Sequence, residues 1–148
     1  MVNGPVDAQP TNVQRLEEQV YQYNNALQYK KSQALLLPIL SSGAYSADEW
    51  YKAAILLSYT YKRLLDYSTT LDFLEKARRR APQTTSPAAH RAQVLGQQAL
   101  VYFDIHAYAK SDSLMRALER TQFQYIDQEN RAKLVHQQGY LLFLYHRQ

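Results

Sequence analysis

The feature that most narrows what this chain can fold into is a passage that it uses more than once. His90-Arg91-Ala92-Gln93-Val94-Leu95-Gly96-Gln97-Gln98-Ala99-Leu100-Val101-Tyr102-Phe103 lies over Asn130-Arg131-Ala132-Lys133-Leu134-Val135-His136-Gln137-Gln138-Gly139-Tyr140-Leu141-Leu142-Phe143 at an offset of 40 residues. Arg-Ala, Gln-Gln and Phe are identical at matched places, and Ala99 and Gly139 keep one matched position small. A further copy joins at an offset of 41, pairing Ser58 with Ala99, Tyr61 with Tyr102 and Tyr67 with Tyr108. The apolar residues in all three follow a helical period, and no segment reads as a strand. A helix pair cannot bury its own apolar face, so a chain that repeats one must stack the copies.

The stretch from Tyr51 to Pro82 shows the unit most fully. Counted from Tyr51, Leu57 is seventh, Ser58 eighth, Tyr61 eleventh, Tyr67 seventeenth, Leu74 twenty-fourth, Ala77 twenty-seventh and Pro82 thirty-second. A small residue at Ser58 lets two antiparallel helices approach, and Tyr61 and Leu74 fill the space beside the contact. These residues and spacings resemble the tetratricopeptide repeat, a 34-residue helix-turn-helix whose pattern includes L-G-x-x-Y, then A-x-x-x-F, then Pro. Ala54 stands where that family often has Trp, and Thr70 where it usually has Ala. The resemblance implies an all-α fold, a tetratricopeptide-like superhelix of antiparallel helix pairs. The longer period places the extra residues in linkers such as Gln83 to Pro87.

At 148 residues and 46% apolar, the chain is long enough for one continuous helical domain. The absence of cysteine removes disulfides, thiol nucleophiles and thiolate metal sites, and says nothing about compartment. No apolar run is long enough to span a bilayer, and no membrane partner is expected. The net charge of +4 raises the question of nucleic acid. The one dense basic cluster, Arg78-Arg79-Arg80, falls at an expected helix C-terminus, where cations complement the dipole. Nucleic acid is therefore the less favoured partner.

In chain order, residues 1–11 read as an extended or disordered lead, and 12–148 as one domain. Thr11-Asn12-Val13-Gln14 fits a capping box, opening a helix at Asn12. Residues 12–45 form an N-terminal helix or a divergent repeat: Asn24-Asn25 is a candidate break, and Pro38 should end or kink the helix. The first clear repeat, 46–85, starts at the capping box Ser46-Ala47-Asp48-Glu49, with helices over 47–65 and 68–80. The second, 86–126, starts at Ser86-Pro87, with helices over 87–105 and 108–120. An incomplete repeat, 127–148, is capped by Asp127. Its Tyr140-Leu141-Leu142-Phe143-Leu144-Tyr145 puts apolar groups on nearly every side of the last helix. That predicts a longer stack or a homodimer paired through the C-terminal helix.

The familiar catalytic and cofactor spacings, G-x-S-x-G, H-E-x-x-H, G-x-x-x-x-G-K-[ST] and G-x-G-x-x-G, do not occur. The expectation is no enzyme activity, no metal and no cofactor. Tyr61, Tyr67, Tyr102 and Tyr108 occupy repeating packing positions and are expected in the core rather than against a ligand.

In the family that the chain resembles, the first helices of successive units line a concave groove. Carried over position by position, this gives Lys52, Ile55, Tyr59, Lys62 and Arg63 from the first clear repeat. The second supplies Gln93, Gly96, Leu100, Phe103 and Asp104, and the third Lys133, His136, Tyr140, Phe143 and Leu144. The family's carboxylate clamp needs Lys and Asn at places occupied here by Ile55, Tyr59, Gly96 and Leu100, so the clamp is missing. The implied function is a protein or peptide interaction module, the sensor or scaffold part of a larger bacterial signalling protein. A nucleic-acid-binding helical repeat using a basic face is the alternative, which Asp104, Gln93 and Gly96 interrupt. Localisation stays open between the cytoplasm and, with a signal peptide removed, the periplasm, because Met1 to Pro10 has neither a basic start nor an apolar core.

Overall fold

Residues 12–121 and 123–145 are described by the computed structural model of the protein. Among them are seven α-helices and no strand: α1 (Asn12–Asn25), α2 (Tyr29–Ser41), α3 (Ala47–Arg63), α4 (Tyr67–Arg80), α5 (Pro87–Asp104), α6 (Tyr108–Thr121) and α7 (Gln128–Tyr145). Each packs antiparallel on its sequence neighbour, and α1 also meets α3 as α5 meets α7. Short 3₁₀ turns, Ala81–Gln83 and Phe123–Tyr125, precede α5 and α7.

The helix starts follow their local chemistry. The Ser46 hydroxyl accepts from the Glu49 N–H while Glu49 accepts from the Ser46 N–H, a complete capping box on α3. Asp66 caps α4 by accepting from both the N–H and the hydroxyl of Thr69. Asp127 caps α7 through the Asn130 N–H. At α5 the Ser86 side chain makes no capping bond. Pro87 at the first helical position starts that helix, and the preceding Thr85 donates from its N–H and hydroxyl to Asp48 on α3. Thr11, expected to cap α1, lies outside the described residues.

Residues 12–41 form two helices, broken after Asn25 as that pair of asparagines suggested. Pro38 does not end α2, which runs three residues further to Ser41. Its missing N–H forfeits one bond near a terminus, where the helix has few bonds left to lose.

The break is built like the other two turns. Gln28 N–H donates to Tyr23 C=O, Asp66 N–H to Tyr61 C=O and Ala107 N–H to Tyr102 C=O. Leu27, Leu65 and His106, one residue earlier in each turn, donate to the carbonyls of Asn24, Lys62 and Phe103. All three have positive φ, at 61°, 61° and 65°. This is the Schellman termination, with side-chain-bearing residues where glycine is usual. Tyr29, Tyr67 and Tyr108 then open the second helix of each pair. The N-terminal pair therefore shares the register of the other two, at an offset of 38.

The core is three apolar clusters strung along the chain. The first joins Val20, Leu36, Leu56 and Phe73 across α1 to α4. The second gathers Tyr51, Leu74, Ala77, Val94 and Val101 from α3, α4 and α5. The third holds Leu95, Leu100, Met115, Leu118, Leu134 and Leu141 from α5, α6 and α7. Small residues set the close approaches: the Ser111 hydroxyl on α6 reaches the Ala99 carbonyl on α5 at 2.8 Å. Thr70, at the matched place on α4, is also buried and bonds the Asp66 carbonyl. Tyr61, Tyr67 and Tyr108 are half-buried against these clusters, and Tyr102 is half-buried beneath Lys110.

One buried polar network ties the first two pairs together. Asn24 donates to the Thr60 hydroxyl at 3.1 Å and accepts from Ser32 at 2.8 Å, while Thr60 donates to the Leu56 carbonyl. All three are fully buried, so each lost partner would leave a group unsatisfied at a cost of about 1–3 kcal/mol.

Candidate binding cleft

The first helix of each pair, together with α7, contributes to one cleft of about 540 Å³. From α1 come Tyr21 and Asn25; from α3 Ile55, Tyr59 and Lys62; from α5 Gln93 and Gln97; and from α7 Glu129, Asn130 and Lys133, with Asp127 at its cap. The lining mixes two tyrosines, four carboxamides, two lysines and two carboxylates. Carboxamides both donate and accept, which matches the alternating groups of an extended peptide backbone.

Electrostatics sharpen the picture. Burial holds the Lys62 ammonium below the ordinary lysine value, Asp104 opposes that shift, and Lys133 adds to it. Lys62 makes no ion pair within hydrogen-bonding reach among the described residues. Lys133, by contrast, lies 3.6 Å from Glu129. Burial, then Glu17, Tyr59 and Asp127, raise the Tyr21 phenol. Burial disfavours the charged form of Asp127, yet the backbone and side-chain amides of Asn130 outweigh it and lower its pKa.

Five of the residues expected from sequence, Ile55, Tyr59, Lys62, Gln93 and Lys133, share this cleft. Lys52 instead holds α3 to α1 through a 2.8 Å ion pair with Glu17. Arg63 does the same from the rim, donating to the Asn25 side chain, the Asn24 carbonyl and the Tyr59 hydroxyl. Gln93 also accepts from the buried Tyr51 hydroxyl, which fixes its amide. Phe103 and Tyr140 lie outside the cleft, edge-on to each other at 5.6 Å and both against Tyr108. His136 is exposed on α7 and away from the cleft. Gly96 and Leu100 are buried in α5.

Tyr21, Asn25, Gln97, Asp127, Glu129 and Asn130 line the cleft without having been anticipated. Tyr21 had a signal: at the offset of 38 it occupies the place of Tyr59, and the two rings meet edge-on at 5.4 Å.

The basic cluster at the end of α4 is engaged locally. Arg78 and Arg79 both bond Glu75, and Arg80 lies 4.4 Å over the Trp50 ring. Among the described residues no three His, Asp or Glu side chains converge as a metal site, and no helix is long and apolar enough to cross a membrane. Comparison of the chain with protein-family models, with curated proteins and with solved structures gives no match in any of the three.

Proposed function

We propose that this chain is a protein or peptide interaction module of the tetratricopeptide-like superhelical kind, with α1, α3, α5 and α7 presenting the inner face to a bound segment. The observation that carries the reading is the cleft itself: all four odd-numbered helices contribute to one lining, and the even-numbered helices contribute nothing to it. The carboxamides of Asn25, Gln93, Gln97 and Asn130 suit an extended backbone. Tyr21 and Tyr59 suit an apolar or aromatic side chain, and Lys62 an acidic one. The reading assigns no reaction to the cleft. A place in the sensor or scaffold part of a larger bacterial signalling protein is supported by the sequence resemblance alone.

The nucleic-acid alternative fares less well, because Asp127 and Glu129 would meet the phosphates that Lys62 and Lys133 attract. Random-peptide display on the purified protein tests the reading. Selected peptides should be enriched in acidic and aromatic residues, and Lys62→Glu should weaken their binding about tenfold or more with unchanged circular dichroism. Selected peptides that bind the Lys62→Glu protein equally well would overturn the groove assignment.

A second copy seated on α7 is favoured by a separate observation. Val135, Tyr140, Leu142, Phe143, Leu144 and Tyr145 all stay exposed on this one helix.

A further inference from the structure

The three turns between paired helices stand on one edge of the molecule. Arg63 at the end of α3 bonds both Asn24 and Asn25 at the end of α1, and Lys62 on α3 feels Asp104 at the end of α5. Two local rules are broken along this edge. Leu27 and Leu65 adopt left-handed backbone angles, where glycine or asparagine is preferred, and they project at 71% and 69% exposure, flanked by exposed Leu64 and Ile105. Lys30 and Lys31 occupy the first turn of α2, and Lys110 the first turn of α6, where the helix dipole disfavours cations. Lys31 and Lys110 rest over Tyr23 and Tyr102, and none of the three lysines has a carboxylate partner among the described residues. Of the acids here, Asp66 is turned back onto Thr69, and Asp104 faces Lys62. Repeated departures from local preference at one place signal a function that the fold alone does not require.

We propose that this edge docks on an anionic lipid surface. The apolar tips sit on successive turns roughly 10 Å apart, the usual spacing of packed helices. Leu27 and Leu64 also line, with Lys30 and Lys31, an open depression of about 510 Å³ between the first two turns. Such a row suits the boundary between headgroups and acyl chains. Lysines beside the tips can reach lipid phosphates while their stems follow the apolar side chains. The attachment is peripheral. It involves no spanning segment, and it departs from the sequence reading, which expected no membrane partner. The cleft lies beside this edge, but Leu27, Leu65, Lys30, Lys31 and Lys110 do not line it.

Vesicle co-sedimentation tests it, using phosphatidylcholine alone and phosphatidylcholine with phosphatidylglycerol. The expected result is partitioning onto the anionic vesicles only, weakened by high salt. The Leu27→Asn/Leu65→Asn double variant suits the left-handed geometry and should keep its thermal midpoint while losing about tenfold or more in partitioning. Lys30→Glu/Lys31→Glu should lose binding comparably. Failure to sediment with anionic vesicles, or sedimentation unaffected by these changes, would overturn the proposal. So would an acidic amphipathic peptide that binds the edge, sensitive to Leu27→Asn, while vesicles do not. A result confined to Lys62→Glu bears on the cleft and leaves this edge untouched.

Discussion

Helices α5 and α7 share one sequence register and differ in burial on one face. Val94 and Val101 of α5 face the preceding pair, and their counterparts Leu134 and Leu141 of α7 do the same; all four are fully buried. On the other face the two helices part. Leu95 and Leu100 are buried in the cluster that α6, α7 and Ile126 complete, whereas the matched Val135 and Tyr140 are 56% and 43% exposed. The same pattern thus gives a two-sided core helix in one place and a one-sided helix in the other. What decides is the element packed on the second face, and apolar content alone does not reveal whether such an element is present.

The comparison can be broken most directly at the matched pair Leu95 and Val135. Leu95→Ala should cost about 2–5 kcal/mol as an emptied core site, and Val135→Ala less than about 0.5 kcal/mol. Equal shifts in urea midpoint would show that α7 is covered on its second face. If a second copy provides that cover, Leu144→Glu should weaken self-association about tenfold, read by light scattering across a dilution series. A wild-type protein that stays monomeric at tens of micromolar would remove the dimer.

The glycines offer a finer contrast. An added Cβ at Gly139 meets nothing within 4 Å, so Gly139→Ala should stabilise by about 0.5–1 kcal/mol through helix propensity. At Gly96 the same atom comes within 3.2 Å of Ile126 Cδ1, so Gly96→Ala should gain less or lose stability. Equal gains in thermal midpoint would mean that the chain before α7 packs less tightly on α5 than its geometry implies.

The smallest effect belongs to His90, matched in α7 by Asn130. His90 stacks on Tyr51 at 4.1 Å and bonds Thr84, and burial lowers its pKa, with Lys52 reinforcing this and Asp48 opposing it. A lowered folded value means that the unfolded chain binds more protons just below the unfolded imidazole value of about 6.5. Stability should therefore be complete above that pH and fall as pH drops through and below it. His90→Asn, which copies α7, should flatten the slope in denaturant titrations.

Much of the architecture was readable because local chemistry governs it. Ser46-Ala47-Asp48-Glu49 makes its capping box, and α3, α5 and α7 begin within a residue of where their caps place them. The N-terminal register was harder. Its key lies in Tyr23 and Tyr29, spaced like Tyr61 and Tyr67, but the helices around them share little else with the later copies. Half the cleft was legible from α3, α5 and α7. The α1 side depended on that register, and Asp127 and Glu129 come from the cap and first turn of α7, ahead of the positions that the repeat describes. Leu100 misled because a groove position and a core position differ by a small helix rotation, and here it joins the cluster shared with α6 and α7.

The stringing of the core into three clusters has a kinetic consequence. Every cluster is made by helices adjacent in the chain, so most burial is gained by closing short loops. Their closure entropy is small, which favours folding on the fast side for a chain of this size. Because α3 and α4 each serve the first and second clusters and α5 the second and third, an opening can halt at a shared helix instead of crossing the molecule. Amide exchange should then be slowest in the middle of α3 and α5, and α7 should exchange well before either.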